Sequence, residues 1–412
     1  MKKKVLVISD HALHTSGVAN QTRFLIEGLV KKGNLSFRQL GAAVKHNSYN
    51  TIKVNDDFFI KPVDGFGDIS LIRNIIVNNK PDAILLFTDP RFFEYMFSIE
   101  DEIREVCPIL WWHVWDNKPV PDFNNWMYES VDAIVCHSYL TYEMCQQSHS
   151  QKTSFVPHTL PPDLFYKMNN RKILKQRKSF LEDKSEWFNF LWLNRNIQRK
   201  RPGDLLLCWK KFLDKLYKEK GHTRANLILH TDLEEKSGIN LLLLAKKLEI
   251  VENLTFSINR LETEDINTLH NISDCCINIS FSEGFGLSTL QSLQTGTPII
   301  AVKTGGLTRQ VVDHETLFEH GIGLDVDFQF LNGTQKVPYL FEDYASNENI
   351  VDAMYEMYEM PAEKRKEISR KSLAYVNKSF NYNDMISAWD KIILETISSH
   401  KKRNSTIKIE EV

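Results

Sequence analysis

The chain has 412 residues, of which 42% are hydrophobic and 25% charged, and its formal net charge is −2 at pH 7. A chain of this length is too long for one ordinary core, so we expect a folded protein with two domains of similar size. The small net charge excludes a global basic field that would recruit nucleic acid or an anionic membrane, and any contact with a polyanion has to be local.

The cysteines and the N-terminus indicate a cytoplasmic protein. The six cysteines form no C-x2-C pair and most lie in apolar stretches, which is typical of buried reduced thiols. A zinc site around Cys136, His137, Cys145 and His149 would fit no standard spacing, so we expect no metal there. The apolar run after MKKK is too short for a signal sequence, and no segment is long enough to span a bilayer.

The first 165 residues alternate strand and helix signals. A buried strand is predicted at 5–9 and a helix at 18–32, and the loop between them ends with Gly17. Further strands are predicted at 82–87, 109–112, 133–136 and 154–156. This alternation predicts a parallel sheet covered by helices on both faces. The first loop lacks the G-x-G-x-x-G fingerprint, which argues against a dinucleotide cofactor.

His113 directly follows one of these strands, in the stretch ILWWHVWD. It is either packed among its tryptophan neighbours or presented at the carboxyl end of the strand, where open parallel sheets bind ligands. We favour a ligand contact because of this position.

Residues 166–187 are polar and highly charged, and they lack a strong apolar repeat. This pattern indicates a linker or a surface helix between two cores. We therefore expect an N-terminal domain at 1–165 and a C-terminal domain at 166–379. A last helix is expected at 380–399, followed by a mobile tail at 400–412.

A second series of strands begins at 188–193. The loop after this strand carries Arg195, Arg199, Lys200 and Arg201 and leads into a helix that begins at Pro202. Cationic clusters are usually only solvated, but this one lies beside a helix N-terminus at a strand end, where phosphates bind. Strands at 226–229 and 254–257 and a helix at 264–271 follow, with Thr263 as the expected N-cap of that helix.

The stretch CINISFSEGFGLSTLQSLQTGTPIIAVKTGG, residues 276–306, predicts a strand, a glycine-bearing turn, a helix that begins at Leu287, a strand and a second glycine turn. Gly284 and Gly286 would let a phosphate approach the backbone at the helix N-terminus. Glu283 and Gln291 lie about two helical turns apart, roughly 12 Å along the axis. This separation approximates the reach from a sugar ring across a diphosphate to a ribose.

Farther along, Asp325 and Asp327 form a D-x-D in an alternating stretch that predicts a strand. Acids that share one face of a strand are ordinary surface residues, so we do not expect them to hold a metal.

The stretch SEGFGLSTLQSLQTGTPIIAVKTGG resembles the E-x7-E region of retaining glycosyltransferases of glycosyltransferase family 4, and the resemblance extends along nearly the whole chain. It implies the α/β GT-B fold, in which two Rossmann-like doubly wound parallel-sheet domains face a central cleft and a C-terminal helix crosses back. It also implies transfer of a sugar from a nucleotide-diphosphate sugar to an acceptor hydroxyl, with retention of configuration and without a metal or another cofactor.

The resemblance further assigns roles to individual residues. In the family, the first glutamate of the motif contacts the transferred sugar and the second binds the ribose. Glu283 matches the first; the second is Gln291, which can hydrogen-bond a hydroxyl but offers no charged acceptor. The resemblance also implies that the diphosphate is bound by Arg195, Lys200 and the backbone of Gly284, Phe285, Gly286 and Leu287. It implies sugar contacts from His113, Gly305 and Gly306. The loop that ends with Gly17 would contact the ligand.

The expected partners are a nucleotide-sugar donor and an acceptor that the sequence does not identify, which could be a glycan, a lipid, a protein or a modified nucleic acid. Weak peripheral membrane contact is possible in such a protein. Two alternatives stay open at this point. A nucleotide-sugar epimerase of the same fold would need further acid and base residues, and a catalytically inactive binding protein is favoured by Gln291.

Overall fold

The computed structural model describes residues 2–401, and their contacts form two compact units. The N-terminal unit comprises residues 2–159, 333–340 and 382–401, and the C-terminal unit comprises residues 160–332 and 341–381. These contacts place the first boundary between the units after residue 159, whereas the sequence predicts it after residue 165. From residue 402 onward, the predicted tail lies outside the described residues.

An eight-stranded sheet forms the centre of the N-terminal unit. Its strands are β1 (Lys3–Asp10), β2 (Leu35–Ala42), β3 (Ile52–Asn55), β4 (Phe58–Pro62), β5 (Ala83–Thr88), β6 (Ile109–His113), β7 (Ala133–Cys136) and β8 (Thr153–Phe155). They lie in the order β3-β4-β2-β1-β5-β6-β7-β8, and every neighbouring pair is parallel except β3 with β4. The helices between the strands are α1 (Gly17–Lys32), α2 (Ile69–Asn79), α3 (Glu94–Phe97), α4 (Glu100–Arg104), α5 (Asn125–Glu129) and α6 (Tyr139–His149).

A six-stranded parallel sheet and a separate strand pair make up the strands of the C-terminal unit. The strands are β9 (Phe188–Leu193), β10 (Ala225–His230), β11 (Leu254–Ser257), β12 (Cys275–Asn278), β13 (Ile299–Val302), β14 (Gly321–Leu324) and the pair β15 (Phe328–Asn332) and β16 (Leu340–Tyr344). The large sheet has the order β11-β10-β9-β12-β13-β14. The remaining helices are α7 (Asn170–Leu181), α8 (Pro202–Lys220), α9 (Leu241–Lys247), α10 (Thr263–Ile272), α11 (Leu287–Thr295), α12 (Thr308–Val311), α13 (Asn347–Glu359), α14 (Ala362–Ser379) and α15 (Tyr382–Ser399).

Both faces of the C-terminal sheet are covered, which explains why its central strand β9 is apolar except at Asn189. Along β9, Phe190 and Trp192 belong to the core shared with α8 and α13, whereas Leu191 packs in a smaller cluster with residues of α7 and α10. The expected cap of α10 is wrong. Thr263 is its first helical residue, Glu262 occupies the N-cap position, and no side chain among the described residues caps this end.

The last helix, α15, belongs to the N-terminal unit, as the fold prediction implies. Its Trp389 packs against Trp112 with ring centroids 5.0 Å apart, in one cluster with the inner residues of α1. Gly28 permits this close approach, since a Cβ at that position would lie 2.3 Å from a methyl carbon of Ile386. The hydroxyl of Tyr382 donates a hydrogen bond to the carbonyl of Phe24 at 2.7 Å. Across residues 2–401, no helix is both long enough and apolar enough to cross a membrane.

Candidate active site

The strand order of the C-terminal sheet places two loops beside each other. The chain leaves β9 toward β10 on one side, and β12 pairs with β9 on the other side. A crevice opens outside the carboxyl ends of the strands where the order reverses in this way, and ligands of doubly wound sheets bind there. The loop after β9 carries Lys200, and the loop after β12 carries Glu283.

Glu283 is the centre of a buried ionic cluster. Its carboxylate contacts the ammonium group of Lys200, and the guanidinium of Arg199 lies 3.8 Å from the same oxygen. The hydroxyl of Ser280, which donates to Oδ1 of Asn278 at 2.6 Å, lies 3.4 Å from this oxygen. The Lys200 and Glu283 side chains are only 9% and 13% exposed. Because isolated charges are costly to bury, the cluster depends on both signs being present.

Backbone hydrogen bonds hold the loops around Glu283 in place. The amide of Phe281 donates to the carbonyl of Arg199 at 2.9 Å, which links the loops after β12 and β9. The amide of Gly306 donates to the carbonyl of Glu283 at 2.8 Å, which adds the turn after β13. The ionic cluster therefore lies on three loops that are tied by their main chains.

Two of the predicted glycines have a steric role in this arrangement. Gly306 lies against the preceding turn so closely that a Cβ would be 2.4 Å from the Cα of Phe285. Gly286 has a φ of 91°, and a Cβ there would lie 2.3 Å from a methyl carbon of Leu307. Since Gly286 is also the N-cap of α11 and no side-chain cap occurs there among the described residues, the first turn of this helix keeps unpaired amides.

Arg195 lies elsewhere in the same loop. Its guanidinium pairs with Glu235 at 2.6 Å, and its side chain is 66% exposed. This hydrogen bond lowers the pKa of the Glu235 carboxyl to about 2. The structure thus brings Lys200 and Glu283 together, places Arg195 on Glu235, and adds Arg199, whose approach to Glu283 the sequence did not indicate.

Arg201, the last cation of this loop, stabilises the fold. Its side chain is completely buried, pairs with Asp204 at 2.8 Å and donates to the carbonyl of Ala345 at 3.0 Å. Its guanidinium also lies over the Tyr344 ring, 4.2 Å from the centroid. These contacts join the start of α8 to the chain after β16.

Gln291 lies on α11 and contacts a histidine that the sequence analysis had not singled out. Nε2 of His270 is 3.2 Å from Oε1 of Gln291, and the His270 side chain is fully buried. Burial lowers the pKa of His270 to about 4, so its imidazole is neutral at pH 7. The side-chain oxygen of Gln291 is thus engaged within the protein.

The turn that contains Gly305 and Gly306 is anchored by a second unpredicted residue. The hydroxyl of Thr304, which precedes the turn, donates to the buried carboxylate of Asp343 at 2.5 Å. The amide of Gln329 donates to the other oxygen of Asp343 at 2.5 Å. Asp343 lies on β16, so the short strand pair supports the loop beside Glu283.

The two predicted residues of the N-terminal unit have different surroundings. His113 is the last residue of β6, is completely buried, and has its Nε2 2.8 Å from the Tyr128 hydroxyl. The ring of Trp111 lies 4.3 Å from the imidazole centroid. Gly17 is exposed as the first residue of α1, and the Ser16 hydroxyl caps this helix by accepting from the amide of Ala19 at 3.0 Å.

The predicted strand at Asp325 and Asp327 is wrong, because β14 ends at Leu324. Asp325 pairs with Lys303 at 2.8 Å, and Asp327 accepts from the amides of Ser346 and Asn349. Within residues 2–401, no group of three or more His, Cys, Asp or Glu side chains has an arrangement suited to a metal ion.

Comparison with known proteins gives a family match and a fold match. Residues 175–326 match the family described as glycosyl transferases group 1. Trehalose synthase from Pyrococcus horikoshii is 37% identical over 54 residues, which are 13% of this chain and 13% of that protein.

Three solved structures illustrate the fold match. Sucrose-phosphate synthase from Thermosynechococcus elongatus has a TM-score of 0.75 and 14% identity, covering 97% of this chain and 100% of that one. A glycosyltransferase from Rickettsia africae has a TM-score of 0.70 and 16% identity, covering 97% and 99%. HepE from Anabaena, in complex with UDP and glucose, has a TM-score of 0.69 and 15% identity, covering 97% and 100%. Together, the family match and these structures confirm the predicted GT-B fold and support the prediction of a glycosyltransferase enzyme.

Proposed function

We propose that the protein transfers a sugar from a nucleotide-diphosphate sugar to an acceptor hydroxyl, with retention of configuration and without a metal ion. The observation that carries this proposal is the contact of Lys200 and Arg199 with Glu283 at the switch point of the C-terminal sheet. A departing nucleoside diphosphate develops negative charge, and cations fixed at this position stabilise it. A carboxylate in the same cluster can accept hydrogen bonds from the hydroxyls of the sugar.

The diphosphate is assigned to Lys200, to the predicted cation Arg195, and to Arg199. A lysine ammonium has three donors, so Lys200 can hold a phosphate oxygen while it keeps its contact with Glu283. The backbone from Gly284 to Leu287 supplies amides at the start of α11, where the positive end of the helix dipole favours an anion.

The sugar is assigned to Glu283 and to the turn of Gly305 and Gly306, and the ribose to Gln291. For His113, contact with the sugar hydroxyls stays a prediction from the family resemblance. In the reaction, the bond between the anomeric carbon and the donor phosphate oxygen breaks while the acceptor oxygen bonds to the same face of that carbon. The acceptor proton passes to the departing phosphate oxygen, so Glu283 positions groups and stabilises charge without forming a covalent intermediate.

A donor panel followed by product analysis tests this function. Thermal shifts with UDP-, GDP-, ADP- and TDP-sugars should single out one nucleotide, and UDP-sugars come first because HepE is in complex with UDP. Mass spectrometry of acceptor mixtures should then show a glycosylated product, and NMR should show the anomeric configuration of the donor. Inversion of a sugar centre without an acceptor would instead identify an epimerase, and binding without turnover would identify an inactive protein.

A further inference from the structure

A groove in the N-terminal unit lies between α2 and the outer strands of the sheet, and it contains a cavity of about 320 Å³. Strand pairing brings five lining side chains into two adjacent rows on one face of the sheet, which are Leu6, Arg38 and Phe59 in the first row and Leu40 and Lys61 in the second. Helix α2 contributes Leu71 and Ile75 to the wall. None of the described lining residues comes from β6 or from the loop after β1, where ligand contacts are predicted.

The floor of this cavity is apolar. Leu6, Leu40 and Ile75 are buried and belong to one core cluster of the unit. Phe59 and Leu71 also line the cavity but are only half-buried, so part of each residue stays in contact with water. A ligand whose apolar part covered these side chains would gain from the hydrophobic effect.

Arg38 brings a positive charge to this floor and is held in one orientation. Its guanidinium lies over the Phe59 ring, 4.0 Å from the centroid, and its Nη1 donates to the carbonyl of Phe37 at 3.0 Å. The donors of a guanidinium point outward in its plane, so stacking on a ring leaves the remaining donors available. No carboxylate among the described residues pairs with Arg38.

Lys61 adds a second cation in the neighbouring row. Its ammonium group donates to the carbonyl of Tyr49 at 2.7 Å, which leaves two of its three donors for other acceptors. Within the described part of the chain, Lys61 has no carboxylate partner, and no aspartate or glutamate lines the cavity. By contrast, Lys53 on the adjacent strand pairs with Asp56 at 2.7 Å.

These features select one class of ligand. A planar fork of N–H donors matches the two oxygens of a carboxylate, and a second cation beside it strengthens the attraction. A phosphate monoester carries about −1.5 to −2 charges at pH 7 and is costlier to bring against apolar surface. We propose that this cavity binds the anion of a small carboxylic acid with an apolar body, the carboxylate on Arg38 and Lys61 and the body against the leucines. The site is independent of the proposed sugar transfer.

Calorimetry on the full chain tests the two halves of this recognition with octanoate as the probe. Octanoate should bind about tenfold more tightly than acetate, which lacks the apolar body, and about tenfold more tightly than 1-octanol, which lacks the charge. Equal affinity for 1-octanol would reduce the site to an apolar groove. Equal affinity for acetate would reduce it to a surface ion contact, and tighter binding of octyl phosphate would replace the carboxylate. Each of these three results would overturn the proposal.

Variants test the two cations. Lys61→Met and Arg38→Lys should each weaken octanoate binding about fivefold or more, the second because a lysine keeps the charge but loses the planar fork. Lys31→Met, which removes an exposed lysine from the last turn of α1, should leave binding unchanged. Thermal unfolding without ligand shows whether each variant is folded. Equal affinities of the folded Lys61→Met and Lys31→Met variants would refute the assignment.

Methyl NMR of the unmodified chain locates the ligand without any substitution. Octanoate should shift the methyl resonances of Leu40, Leu71 and Ile75 and leave those of Leu207, an exposed residue of α8, unchanged. Shifts that omit the first three residues would place the ligand elsewhere and sink the proposal. No sugar donor is present in these measurements, so a failure of the proposed transferase function would leave their outcome unaffected.

Discussion

The two sheets end in loops of opposite chemical character. After β9 and β12, the C-terminal unit gathers Arg199, Lys200 and Glu283, whose opposite charges are close together and largely buried. The corresponding edge of the N-terminal unit carries imidazoles, and burial lowers the pKa of His137 to about 3 and that of His158 well below its ordinary value. One edge therefore presents paired charges, whereas the other holds neutral rings at pH 7. The shared topology fixes where ligand loops lie, and the side chains decide which chemistry each edge performs.

The largest expected effect comes from neutralising the charged edge. On the proposed function, Lys200→Met should lower kcat/KM for transfer by about 10³-fold, since it removes the cation assigned to the departing diphosphate. It should also lower the free energy of unfolding by about 3 kcal/mol, because the buried carboxylate of Glu283 loses its partner. Activity assays and urea unfolding measure the two losses.

A double variant distinguishes the two losses. Adding Glu283→Gln to Lys200→Met removes both charges, so most of the stability should return while activity stays lost. Lys210→Met, which breaks an exposed ion pair with Asp214 on the same helix, should change neither quantity appreciably. Recovery of transfer in the double variant would remove Lys200 from the diphosphate site.

The next largest expected effect is on kcat/KM, and it differs between two arginines of the loop after β9. Arg199→Met should lower kcat/KM about 100-fold, because Arg199 is less exposed and lies 3.8 Å from Glu283. Arg195→Met should lower it only about tenfold, because the exposed Arg195 already pairs with Glu235. Steady-state kinetics with the identified donor measure both, and a greater loss for Arg195→Met would restore it as the principal partner of Lys200.

The sequence predicts several strands of this fold where apolar residues dominate a short segment. The bounds predicted for β7, β9 and β11 agree with the structure. Strand β7 (AIVC) is continuously apolar, β9 (FNFLWL) is interrupted only by Asn189, and β11 (LTFS) alternates apolar and polar residues. Strand β2 was missed because Arg38 and Gln39 interrupt its apolar pattern. The structure shows why they are tolerated: Arg38 lies over the Phe59 ring, and Gln39 bonds the backbone of Asp10 and Ala12. Such partners are distant in sequence and leave no local periodicity.

In the candidate site, too, some features can be predicted from the sequence and others cannot. That Lys200 and Glu283 face one edge follows from parallel strands, whose carboxyl ends meet at the same side of the sheet. Which cation of the loop after β9 reaches Glu283 depends on a single helical turn at 198–200, and residue spacing does not predict that turn. The partner of His113 was equally hidden, because Tyr128 comes from α5 and its hydroxyl meets the imidazole only in the folded chain.

Acid should weaken the edge of neutral rings. Between pH 6.5 and pH 3, an unfolded His137 binds a proton that the folded, buried ring does not bind. The free energy of unfolding should therefore fall as pH falls through this range, by at most about 1.4 kcal/mol per pH unit for this group. Urea unfolding at pH 7 and pH 5 should show a smaller difference for His137→Asn than for the wild type. His222→Asn, at a partly exposed position, should keep the wild-type difference.

The smallest effect concerns Gln291, and it follows from the protonation of its neighbour. A neutral His270 has one N–H, and its Nδ1 has no hydrogen-bond partner among the described residues. An unpaired buried acceptor costs less than an unpaired buried donor, so Nε2 carries the proton and donates to Oε1 of Gln291. On the proposed function, the Gln291 amide nitrogen would then donate its hydrogens to ribose hydroxyls.

This orientation predicts that substitutions of Gln291 and His270 raise the donor KM in a non-additive way. Gln291→Ala should raise the donor KM about fivefold, the equivalent of one hydrogen bond. His270→Ala should raise it less, and adding His270→Ala to Gln291→Ala should cause no further rise, since His270 acts through Gln291. Donor titrations at saturating acceptor measure the three values. If the two losses add, His270 contributes by a route that does not pass through Gln291, and the amide is not what it positions.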